Sequence, residues 1–430
     1  MFQPNISKRQ EDVFAHAVFA NLSEGLRQDT GAGQDIEART QEALHKALAR
    51  AQPFIGGWNV VWGPSVHLGP GSAFPVHTMY VAQSTMDPSQ YVVSMSGASP
   101  ASVFEWMAEE LLVALQVPWG TGTEAADAKI SLGIASGLSV LQEMTPSGAR
   151  PGAGTALAGF LKTLTGTKVK VDVTGFGLGG ALASTVAVWL ADTKGVPGHW
   201  DPQGHAQLTC LSFAGPSAGN GAFAAYADRK PGLTMVRFAN DLDWVTQAWG
   251  AASLAKAATL YSPIIPGTEP IRALVERAEH TTRSGDYTQV QALAPPLMGR
   301  VKYNDGFITV PPSPGGHLVD FIKQVGYQHT GPYFQWFHFN PAWMETRPSA
   351  FDEDSRALFA ELAPGVRRAL KAAGVQPPAE LPGKNEGEGP RTLQAGREQY
   401  PVPRSAEGPE AERLVKALAT ALQRHGAPQH

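Results

Sequence analysis

Apolar positions along this chain change period several times, and those changes divide it. Residues of about 10–51 repeat at helical spacing among polar residues and predict two helices, separated near Thr30-Gly31-Ala32-Gly33. Short runs rich in Val and Tyr follow at 58–68, 78–83 and 90–96, broken by Gly-Pro and Asp-Pro turns, which is strand patterning. From Ser102 the period turns helical until just before Pro118. Beyond it the two periods alternate: strands at 129–132, 168–174, 207–214 and 234–239, helices at 135–144, 154–164, 178–191 and 221–227. That alternation predicts an α/β fold, a mostly parallel central sheet with helices on both faces. The tail differs, with a helix of alternating charge at 350–373, a Pro/Gly/Glu-rich flexible linker at 376–405 and an amphipathic helix at 410–424. No internal repeat is visible.

Composition narrows this picture. With 430 residues the chain can bury a full core, and 17% charged against 43% apolar residues keeps most of it globular. A net charge of -4 gives no reason to expect nucleic acid or an anionic membrane as a partner. A single cysteine, Cys210, excludes an intrachain disulfide and lies in an apolar strand, where a small buried hydrophobe is expected. The first residues lack an uninterrupted apolar core and cleavage site, and no apolar run is long enough to span a bilayer. A cytoplasmic protein is the expectation, with secretion by a route lacking a cleavable signal left open.

The strand–helix junction at 168–192 carries the candidate chemistry. Gly175-Phe176-Gly177-Leu178-Gly179 has the layout of a nucleophile elbow, G-x-S-x-G, with glycine where the serine belongs. The same letters, Gly175-x-Gly177-x-x-Gly180, match the G-x-G-x-x-G turn of dinucleotide-binding folds. That second reading needs an acidic residue at the end of the next strand, about 20 positions on. The run 207–214 ends instead in Ala214-Gly215-Pro216, and Asp192 sits at the end of a helix. A merely tight packing turn is the third reading, and these residues alone leave all three open.

Two further parts lie downstream in the order a hydrolase requires, acid and then histidine. The strand 234–239 runs into Asn240-Asp241-Leu242-Asp243-Trp244-Val245, where a carboxylate would hold an imidazole in one tautomer. An N-cap acid is the plain alternative. Gly326-Tyr327-Gln328-His329-Thr330 follows an apolar helix, and a lone histidine there reads equally as core or surface.

Here the chain resembles the class 3 (fungal-type) lipase family over roughly residues 58–337. VDVTGFGLGGALAS is similar to that family's T-G-H-S-L-G-G-A-L-A elbow, and LSFAGPSAGNGAFAAYAD to the strand and helix after it. VRFANDLDWVTQAW resembles the segment of the catalytic aspartate, whose D-x-V register selects Asp243 over Asp241, and GYQHTGPYF that of the catalytic histidine, His329. YVVSMSGASPASVFEWMAEEL resembles the strand and turn that supply half of the oxyanion hole. The resemblance implies an α/β-hydrolase fold at 58–340, between a helical extension at 1–57 and C-terminal helices with a linker at 341–430. It implies acyl ester or lipid ligands and neither metal nor organic cofactor, and it displaces the dinucleotide reading.

Departures from the family pattern matter as much. Gly177 stands for the nucleophile, Phe176 for the preceding histidine, Ser96 for a frequent arginine and Ala98 for Ser or Thr. The N–H groups of Leu178 and Ala98 would still face an oxyanion, because such donors need no particular side chain. No acyl-enzyme forms on glycine. Glycine also relieves the strained elbow backbone, and a deliberate replacement would more commonly use alanine. Ser184 and Thr185 lie too deep in the helix to substitute, leaving Ser96, Ser99 or a water held by His329. A segment at 117–127, with Trp119 and paired glycines, reads as a mobile apolar lid or as a plain loop.

Overall fold

The computed structural model describes residues 5–24, 26, 35–68, 75–97, 110–120, 125–303, 316–344, 392–403 and 406–426. In chain order the first ten strands are β1 (Trp58–Leu68), β2 (Pro75–Ser84), β3 (Gln90–Ser96), β4 (Gln116–Pro118), β5 (Lys129–Ser131), β6 (Lys170–Phe176), β7 (Gln207–Phe213), β8 (Gly219–Asn220), β9 (Leu233–Phe238) and β10 (Tyr287–Thr288). Six of them form the central sheet in the order β1-β2-β3-β6-β7-β9. The β1–β2–β3 meander is antiparallel, while β3, β6, β7 and β9 run parallel. A smaller sheet, β10-β8-β5-β4, lies beside it.

Alternation along each strand feeds two cores. Val171, Val173, Cys210 and Val93 point into one with the helices Leu132–Glu143 and Leu178–Thr193. Phe176, Leu211, Phe213 and Val92 point into the other with the helix Lys8–Phe19 and the aromatic run near residue 337. Both faces are thereby covered, which is why these strands read as nearly continuous apolar runs. Cys210 is fully buried and burial pushes its thiol pKa up, in keeping with a core role.

The N-terminal segment is less polar than its helical period suggests. Ser7 and Gln10 form a capping box, and Val13 through Phe19 are all buried. Phe14 stacks on Phe337 at 4.5 Å and meets Phe213 edge-on at 5.0 Å. Arg9 reaches across to pair with Asp172, a carboxylate without exposure in the middle of β6.

Residues 345–391, including the helix expected at 350–373, lie outside the described residues. The linker reading of 376–405 fails at its C-terminal end. There β11 (Thr392–Ala395) and β12 (Glu398–Pro401) form a hairpin around Gly396, whose φ is 63°. The hairpin and the helix Pro409–Arg424 close on Leu132–Glu143, with Ala395, Leu414 and Leu418 joining the core. Low apolar content hid this hairpin, because backbone pairing and two serine bonds, Ser136 and Ser139 to the Gln394 carbonyl, hold it.

Candidate active site

β6 ends in Phe176 and the chain turns at Gly177 into the helix Leu178–Thr193. Gly177 has φ 59° and ψ −126°, a backbone region that strains any residue with a Cβ. Its N–H donates to the Phe213 carbonyl at 2.9 Å, and its own carbonyl accepts from Gly180 at 2.9 Å. The turn is this tight because its neighbours are bare. A Cβ on Gly175 would lie 2.2 Å from the Gly179 carbonyl oxygen, and one on Gly179 would lie 2.5 Å from that of Met95. At these glycines helix and strands meet backbone to backbone.

Asp243 follows β9 and caps the short helix Trp244–Gln247, its Oδ1 accepting the Val245 N–H at 3.0 Å. Its Oδ2 lies 2.9 Å from His329 Nδ1 and accepts the Tyr333 hydroxyl at 3.0 Å. Both partners are buried, His329 at 2% and Asp243 at 0% exposure. A carboxylate acceptor assigns the imidazole proton to Nδ1 and leaves Nε2 as the acceptor. Among the described residues Nε2 has no hydrogen-bond partner. It faces the turn: a Cβ built on Gly177 would lie 3.0 Å from it. Gly177, Asp243 and His329, 152 positions apart at the extremes (329 − 177), therefore converge on one point. Asp241 points elsewhere, accepting the Gly299 N–H at 2.6 Å.

His329 does not follow a helix, as its surroundings suggested, but lies within one, Gly316–Trp336, which continues through Pro332. That placement brings in residues that motif reading passed over. Tyr333 is one turn beyond His329 and fully buried; burial, and then the Asp243 charge, hold its phenol well above the ordinary range. Its oxygen accepts the Asn240 N–H at 2.8 Å. Asn240 in turn donates from Nδ2 to the Gln328 carbonyl at 2.8 Å and to Gln328 Oε1 at 2.9 Å, tying the acid-bearing loop to the histidine helix. The i, i+4 spacing of a histidine and a tyrosine was the available signal. Phe176 lies against the imidazole, ring centroids 4.9 Å apart, and edge-on to Tyr333 at 5.5 Å.

Leu178 is the first residue of its helix, so its N–H is one of the helix's unpaired donors. Its side chain packs on Gly97, where a Cβ would come within 2.5 Å. Ala98 and Ser99 lie outside the described residues. Ser96 is buried, and its hydroxyl accepts the Thr78 N–H at 3.1 Å, which commits it to β2. The lid expectation for 117–127 does not hold for its described part. Trp119 donates to Asp192 Oδ2 at 2.9 Å, at the far end of the helix Leu178–Thr193. At 1.5 Å per residue that is about 20 Å from the turn. The segment is pinned there because β4 pairs with β5 and joins the smaller sheet. No cluster of three or more metal-ligating side chains occurs among the described residues.

A mixed, mostly parallel sheet covered on both faces, with a strand–turn–helix aimed at a His–Asp pair, defines an α/β-hydrolase. The family described as Lipase (class 3) matches residues 105–252. The crystal structure of M37 lipase is 27% identical, covers 86% of this chain and 99% of its own, and superposes with a TM-score of 0.66. The two matches together support membership of the class 3 lipase family. A lipase from Rhizopus microsporus var. chinensis (16% identical, 57% of this chain and 71% of its own) gives a TM-score of 0.38. Lipase II from Rhizopus niveus (17% identical, 56% and 76%) gives 0.36. No curated protein matches the chain.

Proposed function

We propose that this chain is a lipase-like protein whose site receives acyl esters or lipids without turning them over. One observation carries the reading: the position that Nε2 of His329 faces is Gly177. Ester hydrolysis by an acyl-enzyme requires an oxygen or sulfur nucleophile at that point, and glycine supplies none. In other enzymes, loss of a triad serine lowers turnover about 10⁶-fold and leaves about 10³–10⁴ over water. The test is hydrolysis of short acyl p-nitrophenyl esters by the chain as it stands. Any residual turnover is expected to be independent of Asp243 and His329. Hydrolysis that disappears in Asp243→Ala and His329→Ala would overturn the proposal.

The unpartnered Nε2 favours a second reading, an atypical ester hydrolase in which His329 draws a proton from water instead of a serine. The Asp243 carboxylate would steady the imidazolium so formed. A nearby serine is a weaker source of nucleophile, since Ser96 is already engaged by Thr78. The same assay separates the two readings.

A further inference from the structure

A row of polar residues crosses a sheet face that is otherwise apolar. Asp172, Thr209 and Thr234 are direct partners on the neighbouring strands β6, β7 and β9. By alternation they share the face of Leu211, Phe213 and Phe238, not that of Val171 and Cys210. The helix Lys8–Phe19 lies across β3 and β6 on this side, and Phe337 covers Phe213 and Phe238 at the carboxyl ends of β7 and β9. The first halves of β7 and β9 stay bare, and a cleft of about 560 Å³ opens over them. Thr209, Leu211, Thr234 and Val236 line it, together with Arg9 and Lys194. From Gln207 at this end of β7 to Phe213, whose carbonyl holds the Gly177 N–H, the strand rises about 20 Å.

The cleft holds donors that the fold leaves unused. Arg9 is fixed by the buried Asp172 carboxylate and reaches Thr209 Oγ1 at 3.4 Å, yet its side chain is still half exposed. Among the described residues the Lys194 ammonium has no hydrogen-bond or ion-pair partner, and it lies 3.4 Å from where a Cβ on Gly232 would be. The Thr234 hydroxyl is likewise unengaged among them. No Asp or Glu is among the described residues that line the cleft. Asp172 is committed to Arg9, and Asp201, behind Ala206, accepts the His205 and Ala206 N–H groups at 3.1 and 2.8 Å. Two cations and a hydroxyl without an acid among them call for an anion. A guanidinium fork, a point-like ammonium and a hydroxyl suit a tetrahedral oxyanion, which offers acceptors in several directions, better than a flat carboxylate. The volume is that of a small-molecule site, and Leu211 and Val236 supply apolar surface beside the charges.

We infer that this cleft binds a phosphate group, free or carried on a small monoester, between Arg9 and Lys194 with Thr234 as a third donor. It does not rest on the reading of the Gly177 site, so either can fail alone.

Titration calorimetry of the full chain at low salt, with inorganic phosphate, phenyl phosphate and acetate as probes, tests it. Both phosphates should bind, and acetate at least about tenfold more weakly. Tighter binding of the ester than of the free ion would show the apolar floor in use, and equal binding would assign the cleft to the free ion. Lys194→Met should weaken phosphate about tenfold and Thr234→Val about threefold. Both should melt like the parent, since neither group has a partner to lose, and Arg9 is kept because its loss strands Asp172. Arg413→Gln, in the basic groove between the helix Pro409–Arg424 and the β11–β12 hairpin, should change nothing. No binding of either phosphate, acetate as tight as phosphate, or a phosphate affinity unchanged in Lys194→Met would overturn the inference. So would loss of binding in Arg413→Gln, which would place the anion on that groove.

Discussion

Placing a side chain at position 177 separates backbone strain from chemistry. Gly177 sits at φ 59°, ψ −126°, so Gly177→Ala and Gly177→Ser should each cost about 1–3 kcal/mol in strain. At about 2–4 °C per kcal/mol, thermal melts should fall by about 2–12 °C in both. Crowding adds to this. A serine donating to an imidazole at ordinary length places its Cβ about 3.5 Å from the nitrogen, whereas the position built here is 3.0 Å from Nε2. The imidazole must therefore retreat by about 0.5 Å, against Asp243 at 2.9 Å and the Phe176 ring. The assay pairs melting with hydrolysis of short acyl p-nitrophenyl esters. Only the serine variant should gain turnover, by at least about a hundredfold over the parent, and that gain should vanish on His329→Ala. An alanine variant as stable as the parent would refute the strain argument. A well-folded serine variant with no activity would show that the pair is not aimed productively.

Other perturbations probe the surroundings. Tyr333→Phe removes the hydroxyl that bonds Asp243 and strands the buried Asn240 N–H, which should cost about 1–3 kcal/mol in urea denaturation. In the Gly177→Ser background it should lower kcat about tenfold more than it alters KM. Burial holds the imidazoles of His16 and His77 down to about 3, from an ordinary 6.5. Depressed folded values mean that this stability is present above about 6.5 and is lost as pH falls toward 3, at about 1.4 kcal/mol per pH unit for each. Substituting either by Gln should flatten the acid side of a stability–pH curve, and an unchanged slope would refute it. Arg9→Met leaves the Asp172 carboxylate buried without its guanidinium. The loss should fall at the low end of about 3–5 kcal/mol, since the arginine is 46% exposed, with recovery in Arg9→Met/Asp172→Asn.

The strands β1 and β3 coincide with their sequence reading, because Val- and Tyr-rich runs between Gly-Pro and Asp-Pro turns admit little else. Gly177, Asp243 and His329 were legible from chain order and family resemblance together, not from any one of them. What stayed hidden was long-range. Nothing local says that Asn240 bonds a residue 88 positions away or that Trp119 is drawn to Asp192. The helix around His329 was cut short because Gly326, Gly331 and Pro332 weaken its propensity. Burial of Phe321, Ile322, Val325 and Tyr333 overrides that.

The members of this site are unequal in what their loss does to the fold. Replacing an elbow serine by glycine relieves strained backbone, keeps the backbone bonds of the turn and leaves one acceptor, His329 Nε2, without a partner. Asp243 is the opposite case. Its carboxylate accepts the Val245 N–H, the Tyr333 hydroxyl and His329 Nδ1, all buried. Removing it would orphan three donors, at about 1–3 kcal/mol for each left unsatisfied. Strain relief thus offsets the loss of the nucleophile, whereas nothing offsets the loss of the acid. The intact His–Asp pair is therefore explained by folding and is not itself a sign of turnover. Asp243→Ala should lower stability by at least about 2–4 kcal/mol in the parent. A melt unchanged by that substitution would mean that the pair is kept for chemistry after all.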